Sequence, residues 1–95
     1  MGCLCNGKYY VGVGVEIGEG GISLSLPQEL PVGQDIVISF QIPGGSFVCV
    51  RAELRNVQKS KRPGWFAMGS LFKNIKFEQK REIRSYVSAR SELEQ

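Results

Sequence analysis

The fold is decided by residues 9–26, which read YYVGVGVEIGEGGISLSL. Apolar residues fill every second position from residue 9 to residue 17, the period-2 pattern of a strand with one buried face. Glycines alternate with the valines, and glycine inside a strand marks a sharp bend or the close approach of another backbone or a ligand. Residues 18–21 then predict a glycine-rich turn, after which the alternation resumes over residues 22–26. We expect two strands joined by this turn.

Three more strands are predicted downstream by the same alternation, over residues 36–42, 46–58 and 65–72. Cys49 lies in an apolar run of the second of these, which predicts a position in or near the core. After Asn74 the apolar spacing becomes helical, and no proline or glycine interrupts it. The stripe of this helix comprises Ile83, Tyr86, Val87, Arg90 and Leu93.

The chain has 95 residues, which suffices for one core and not for two. We expect a flexible N-terminus over residues 1–8, an antiparallel β-barrel over residues 9–75 and a C-terminal helix of the same domain over residues 76–95. Five short strands with no helices between them are typical of a barrel or a sandwich. No apolar run reaches the length of a membrane span.

The sequence contains no histidine. This removes the usual general base, the Ser-His-Asp and Cys-His mechanisms and most zinc sites, so we expect no catalytic residues, no metal and no cofactor. Three cysteines, an odd number without a visible secretory leader, indicate reduced thiols and a cytoplasmic protein.

Charge is divided unevenly along the chain. Residues 1–50 carry a net charge of −3, whereas residues 51–90 carry +8. A basic half of this kind is found in proteins that bind nucleic acid or membranes. The alternative interpretation is an ordinary solvated surface on a strand and a helix.

Six segments follow one another in a characteristic order over about residues 9–90. They are VEIGEGGISL at 15–24, LPVGQ at 30–34, QIP at 41–43, VCVRAELRNV at 48–57, MGSLFKNI at 68–75 and REIRSYV at 81–87. In this order and spacing the chain resembles a PilZ domain. The resemblance implies a six-stranded antiparallel β-barrel with a C-terminal helix, in a family of bacterial modules of which many are receptors for cyclic di-GMP.

The resemblance also implies where a nucleotide would bind. In the family, an Arg-x-x-x-Arg stretch upstream of the barrel and an Asp/Asn-x-Ser-x-x-Gly stretch hold the ligand, and the second stretch falls on residues 16–21 of this chain. Arginine forks suit phosphate and the guanine edge because they bind both bidentately. The short acid or amide accepts from guanine, the serine hydroxyl donates, and the glycine allows close approach.

This chain departs from both motifs. Glu16 occupies the Asp/Asn position, Gly18 replaces the serine, and Gly21 matches the final glycine, with Gly20 beside it. Lys8 is the only cation upstream of Glu16, and lysine cannot bind as a fork. These five residues are the ligand-binding candidates of a degenerate site, from which we expect weak or no cyclic di-GMP binding.

The chain does contain an Arg-x-x-x-Arg stretch farther downstream, from Arg51 to Arg55, within a predicted strand. We interpret it as an exposed strand face with Glu53 between the two arginines. The alternative, a ligand clamp, stays open.

We hypothesise a non-catalytic regulatory module that acts through protein contacts, in the control of motility, pili or exopolysaccharide. Lys59, Lys61, Arg62 and Trp65 form the candidate interaction surface, because tryptophan and arginine are enriched at binding hot spots. Trp65 can equally be a half-buried residue at a strand start.

Two other functions stay open. The first is a working cyclic di-GMP receptor whose arginine motif is supplied from outside this chain segment. The second is a small nucleic-acid-binding barrel that uses Trp65, Phe66 and Phe72 for base stacking.

Overall fold

A computed structural model describes the backbone of residues 1–94 and the side chains of residues 1–89. It contains seven strands and one helix. They are β1 (Gly2–Cys5), β2 (Lys8–Val11), β3 (Val13–Ile17), β4 (Gly21–Leu26), β5 (Asp35–Gln41), β6 (Phe47–Lys59), β7 (Phe66–Lys73) and α1 (Phe77–Glu94).

The seven strands form one sheet in the order β2-β1-β5-β6-β7-β4-β3, and every pairing is antiparallel. The sheet is a half-barrel, so the expectation of a closed six-stranded barrel is wrong. The predicted class, mostly β with one C-terminal helix, is confirmed. Alternate residues of β4, β5 and β6 point into the concave face and form most of the core: Ile22, Leu24, Leu26, Ile36, Ile38, Phe40, Val48, Val50, Ala52 and Leu54.

The sheet curls because its two edge strands are consecutive in the chain. Only Gly12 separates β2 from β3, yet these strands lie at opposite edges of the sheet. The Gly12 amide donates to the Met1 carbonyl and the Met1 amino group donates to the Gly12 carbonyl, each at 3.0 Å. A Cβ atom on Gly12 would overlap the Ser25 carbonyl and the Leu26 side chain. The strand predicted over residues 9–17 is therefore divided at Gly12, where the edges meet.

The N-terminal residues form a strand where we expected a loose segment. Cys3 and Cys5 are buried, and β1 pairs with β2 on one side and with β5 on the other. Asn6 and Gly7 have positive φ angles of 50° and 76°, as a two-residue hairpin turn requires. A four-residue strand is too short to show a period, so the Asn-Gly pair was the only local signal for it.

The cysteines differ in exposure and reactivity. Burial, and then the charge of Cys5, raise the pKa of the Cys3 thiol to about 11, so Cys3 stays protonated and unreactive near neutral pH. Cys49 is exposed, which corrects its predicted place in or near the core. It lies between Val48 and Val50, and both of these point into the core.

The valines of the first predicted strand are exposed. Val11, Val13 and Val15 have 66%, 53% and 63% of their surface accessible. Period-2 alternation fixes which residues share a face, but not whether anything covers that face. Here the valines lie on the two edge strands, so their apolar side chains are exposed to solvent along the sheet edges.

The helix α1 packs against one end of the half-barrel. Ile83 is fully buried, and Tyr86 and Val87 are half-buried against the core, which confirms the first part of the predicted stripe. The Glu82 carboxylate accepts from the Ser46 amide, and Arg84 pairs with Glu19 at 3.3 Å. The helix thus contacts both the β5–β6 and the β3–β4 turns.

The remaining stripe positions, Arg90 and Leu93, lie outside the described side chains. Within residues 1–94, no helix combines the length and the apolar character needed to cross a membrane.

We predict that Gly12→Ala destabilises the protein far more than Gly14→Ala. An alanine at position 12 would overlap backbone, whereas a Cβ on Gly14 would make ordinary contacts with two flexible side chains, the Met1 sulfur at 3.5 Å and Ile22 Cδ1 at 3.9 Å. Overpacking at Gly12 should cost about 2 kcal/mol or more, which lowers the Tm by roughly 8–16 °C for a domain of this size. Thermal unfolding followed by circular dichroism measures the Tm of both variants. Equal Tm values would contradict the close packing of Gly12 against Ser25 and Leu26.

Candidate functional site

The glycine-rich turn between β3 and β4 packs tightly against β7. The Gly18 amide donates to the Gly21 carbonyl at 2.9 Å, and the Gly20 carbonyl accepts from the Phe72 amide at 2.9 Å. A Cβ on Gly21 would overlap the Ser70 carbonyl, so only glycine fits at this position. At Gly18 the nearest atom to a Cβ would be 3.9 Å away, and at Gly20 the space is open.

This turn forms one wall of a surface groove of about 360 Å³, the turn groove. Four of the predicted site residues line it together: Glu16, Gly18, Gly20 and Gly21. The fifth, Lys8, does not, since it lies on edge strand β2, paired with Cys5 of β1. The structure also brings four polar residues into the groove that were not among the predicted site residues: Ser23, Arg55, Asn56 and Ser70.

A β-bulge places Arg55 and Asn56 in the turn groove. The register between β6 and β7 shifts after Leu54, so that Arg55 has no partner directly opposite it. Bulges bend a strand and re-aim its side chains. The Asn56 amide lies against Gly69, where a Cβ would be only 2.8 Å from Nδ2. Gly69 therefore leaves room for the Asn56 side chain.

A second bulge lies across the groove in β3, where the register with β4 shifts between Gly14 and Glu16. Both walls of the groove are thus irregular strands. The alternation of a sequence does not reveal a bulge, which is why the sequence placed Arg55 on a plain strand face. The only sequence signal that Arg55 could contact a ligand was the downstream Arg-x-x-x-Arg stretch. The first arginine of that stretch, Arg51, does not line the groove.

The charges near the turn groove form a loose surface network. Arg55 Nη1 is 3.5 Å from a Glu53 oxygen, and the other Glu53 oxygen is 3.8 Å from Lys73 Nζ. Lys73 also bonds Asp35 at 2.9 Å, a hydrogen bond that raises the pKa of its ammonium group. Exposed pairs of this kind contribute little to stability, so Arg55 can exchange Glu53 for another anion at low cost.

Ser70 also lines the groove, but its hydroxyl donates to the Ile22 carbonyl at 2.8 Å and is buried. This hydroxyl holds β7 to β4. It is therefore a structural group and not a ligand contact.

A family model described as PilZ domain matches residues 3–89. The chain belongs to the PilZ domain family. The match covers nearly the whole chain, from the second residue of β1 onward, and it implies a module of cyclic di-GMP binding or signalling. PilZ domains are non-catalytic regulatory and binding modules. No curated protein and no solved structure gives a significant match.

The candidate interaction surface of this PilZ domain lies on the β6–β7 hairpin, and it is ordered by local contacts. The Arg62 guanidinium stacks over the Trp65 ring, 4.2 Å from its centroid. The Trp65 amide donates to the Arg62 carbonyl at 3.1 Å, and its carbonyl accepts from the Ser60 amide at 2.9 Å. Lys59, Lys61 and Arg62 are exposed and Trp65 is half-buried.

The hairpin and the turn groove are separate surfaces. The β4–β7 ladder runs from Gly21 opposite Leu71 to Leu26 opposite Phe66, a distance of roughly 17 Å at the rise of an antiparallel strand. The glycine turn lies at the Gly21–Leu71 end of this ladder, and the hairpin lies at the Leu26–Phe66 end. A partner bound to the hairpin would therefore leave the groove open.

Two of the three aromatic residues proposed for nucleic-acid stacking, Phe66 and Phe72, pack against the core. Phe72 is stacked with Phe40 at a centroid distance of 6.5 Å, and Phe66 is partly buried against the same cluster. Single-stranded nucleic acid is bound by stacking bases on exposed rings. These two rings have other partners, which argues against the nucleic-acid alternative.

We predict that Gly21→Ala unfolds the domain at lower denaturant than Gly20→Ala. The first substitution forces a methyl group into the Ser70 backbone, at a cost of about 2–3 kcal/mol. The second fills open space and should change the free energy of unfolding by less than about 0.5 kcal/mol. Urea unfolding followed by fluorescence compares the two, and a tolerated alanine at position 21 would show that the turn does not pack as described.

Proposed function

We propose that this PilZ domain is a regulatory module whose nucleotide site is degenerate, and that it acts through protein contacts at its basic hairpin. The observation that carries the proposal is the composition of the turn groove. The glycine turn keeps a tight backbone, but among the described residues that line the groove Arg55 is the single cation.

Cyclic di-GMP carries two phosphates and two guanines, so tight binding requires several charge-assisted donors. The family supplies two arginines from an upstream stretch. Residues 1–15 contain no arginine, and a groove bound without two such arginines forfeits about 3–6 kcal/mol of charged hydrogen bonds, which is roughly a hundred- to ten-thousandfold in affinity. A single arginine at a bulge does not replace two.

The acid and hydroxyl positions are altered as well. Glu16 can still accept from guanine, but its carboxylate is one methylene farther from the backbone than that of aspartate. Gly18 provides no hydroxyl at the serine position. Asn56 and Ser23 add polar groups to the groove, so weak guanine binding remains compatible with this surface.

Protein contact through the hairpin is supported by its charge and order. Three exposed cations lie on the same hairpin as a tryptophan that one of them, Arg62, holds in place by a cation–π contact. Ordered aromatic and arginine side chains lose little entropy on binding and are enriched at interface hot spots. The hairpin therefore suits an acidic patch on a partner protein.

We predict weak cyclic di-GMP binding that improves in Gly18→Ser. The space at Gly18 accepts a side chain, and a restored hydroxyl bond is worth about 1 kcal/mol, or roughly fivefold in affinity. Val32→Ser introduces the same side chain at an exposed position outside the groove; it is the control and should leave the affinity unchanged. Amide chemical shifts of residues 18–21 during a nucleotide titration give the dissociation constants.

Micromolar or tighter binding by the unmodified chain would contradict the degenerate site. It would favour the alternative of a working receptor, with Arg55 as its anion contact. In that case Arg55→Gln should remove most of the affinity.

We predict that a photo-cross-linking amino acid at position 61 yields discrete protein adducts in the producing cell, whereas the same residue at position 77 does not. Lys61 lies on the hairpin, whereas Phe77 is exposed at the start of α1, beyond the end of β7 that is remote from the hairpin. Arg62→Glu should reduce the adduct yield because it reverses a hairpin charge and removes the stack on Trp65. Equal yields from both positions would count against the hairpin surface.

A further inference from the structure

We propose that the outward side of α1 binds the surface of an anionic lipid membrane, with its cations on the lipid headgroups and Phe77 inserted beneath them. We call this side the helix face and define it as Phe77, Lys80, Arg81 and Arg84, all of which are exposed. None of these residues lines the turn groove or lies on the hairpin. The proposal therefore concerns a third surface of the domain.

The two sides of α1 are chemically different. One side packs on the half-barrel through Ile83, Tyr86 and Val87. An α-helix has 3.6 residues per turn, so positions 77, 81 and 84 lie together on the opposite side, with position 80 next to them. From Phe77 to Arg84 this side extends over roughly 10 Å of helix. The apolar side is thus used by the fold, and the charged side is left in solvent.

The cations of the helix face are available to an outside anion. Lys80 and Arg81 form no salt bridge with another described residue, and neither does Lys76, which directly precedes α1. Arg84 pairs with Glu19, but the two side chains are 58% and 47% exposed, and exposed pairs of this kind are weak. Four cations can therefore reach a negatively charged surface.

Few acidic side chains oppose these cations. Among residues 76–89, Glu78 is the only exposed acid. The other acid, Glu82, is turned toward the β5–β6 turn, where its carboxylate accepts from the Ser46 amide. Part of the excess positive charge of residues 51–90 is therefore displayed on one side of one helix, and clusters of four or more cations on a helix are typical of contact with anionic lipids.

Phe77 is the observation that points to a membrane. With 73% of its surface accessible, it is the most exposed large apolar residue of the described chain. Trp65 on the hairpin is half-buried and covered by Arg62, whereas no described ring or cation stacks on Phe77. An uncovered aromatic ring among cations is the arrangement of a helix that lies in the membrane interface, where the ring enters the acyl boundary and the cations bind headgroups.

A lipid surface suits this helix face better than a folded partner or a nucleic acid does. The helix face lines neither the turn groove nor the cavity beside Tyr86, so it offers no pocket in which a partner protein could place an anchor residue. One exposed ring gives no platform for successive bases. A bilayer needs neither feature, because its headgroups and chains adapt to the ring and to the long cationic side chains.

Membrane binding by the helix face would leave the hairpin accessible. Arg84 of α1 contacts Glu19 in the glycine turn, and this turn lies at the Gly21–Leu71 end of the β4–β7 ladder. The hairpin lies at the other end, roughly 17 Å away. A domain attached through α1 would therefore present its hairpin away from the lipid.

The first test is co-sedimentation of the full chain with vesicles made of equal parts phosphatidylglycerol and phosphatidylcholine. The protein should bind these vesicles and not vesicles of pure phosphatidylcholine. Raising the salt from about 0.05 M to about 0.5 M should release it, because salt screens the attraction between exposed charges.

A pair of double variants locates the lipid contact. Lys80→Glu combined with Arg81→Glu should lower the partition coefficient at least about thirtyfold, since each cation near an anionic surface contributes about fivefold. Lys59→Glu combined with Lys61→Glu makes the same change of net charge on the hairpin. It should lower partitioning by less than about threefold at 0.1 M salt, because the hairpin is more than a Debye length from the helix face.

The contribution of the ring is measured separately. Phe77→Ser should weaken vesicle binding about tenfold, which corresponds to the loss of one inserted apolar side chain. Val32→Ser is the matched control, since Val32 is 60% exposed in the β4–β5 loop, and it should leave binding unchanged. The circular dichroism spectrum of each variant should equal that of the unmodified chain, so that a loss of binding is not a loss of folding.

Tryptophan emission tests insertion directly. In a chain that carries Trp65→Phe and Phe77→Trp, the emission should shift to shorter wavelength when anionic vesicles are added, because the indole leaves water. In the unmodified chain, whose single tryptophan lies on the hairpin, the emission maximum should stay where it is.

Four results would overturn the proposal. They are equal binding to both kinds of vesicle, an equal loss of binding in the two double variants, and an unshifted emission from the Phe77→Trp chain. The fourth is no vesicle binding together with binding of a labelled single-stranded oligonucleotide that the Lys80 and Arg81 changes abolish, which would assign the helix face to nucleic acid. None of these measurements involves cyclic di-GMP or a protein partner, so their outcome is independent of the proposed function.

Discussion

The structure depends on a single close contact, the passage of the chain through Gly12. Strands β2 and β3 are the two margins of a seven-stranded sheet, yet one residue joins them. Because one residue joins the two edge strands, the sheet has to curl until these strands meet at Gly12. Gly12 permits this close contact because it has no side chain to collide with Ser25 and Leu26. The concave core follows from this one junction.

The curl also explains how the turn groove and the helix come together. Gly21 packs against Ser70 with no space for a methyl group, which fixes the glycine turn beside β7 and near the bulge at Arg55. The Glu19–Arg84 pair then joins the other side of the turn to α1, while Glu82 joins the helix to the β5–β6 turn. The groove therefore lies on a turn that is held by sheet contacts on one side and by the helix on the other.

The sequence predicted the regular parts of this fold and missed the irregular ones. Alternation identified the buried faces of β4, β5 and β6 because each of these strands has neighbours on both sides and one face on the core. It gave no sign of the bulge at Arg55, because a bulge changes the register without changing the pattern. It also treated β1 as loose, since two buried cysteines in four residues do not establish a period. The missed groove residues thus depend on pairing between distant strands.

The arginine stack on the hairpin has a consequence for spectroscopy. The protein contains a single tryptophan, and this indole lies beneath the guanidinium of Arg62, at the far end of the β4–β7 ladder from the glycine turn. In the folded protein its emission therefore reports on the hairpin. A ligand in the turn groove would leave the tryptophan emission unchanged, whereas a protein that displaces Arg62 would change it. The fold thus carries an intrinsic optical probe that separates its two candidate surfaces without any label.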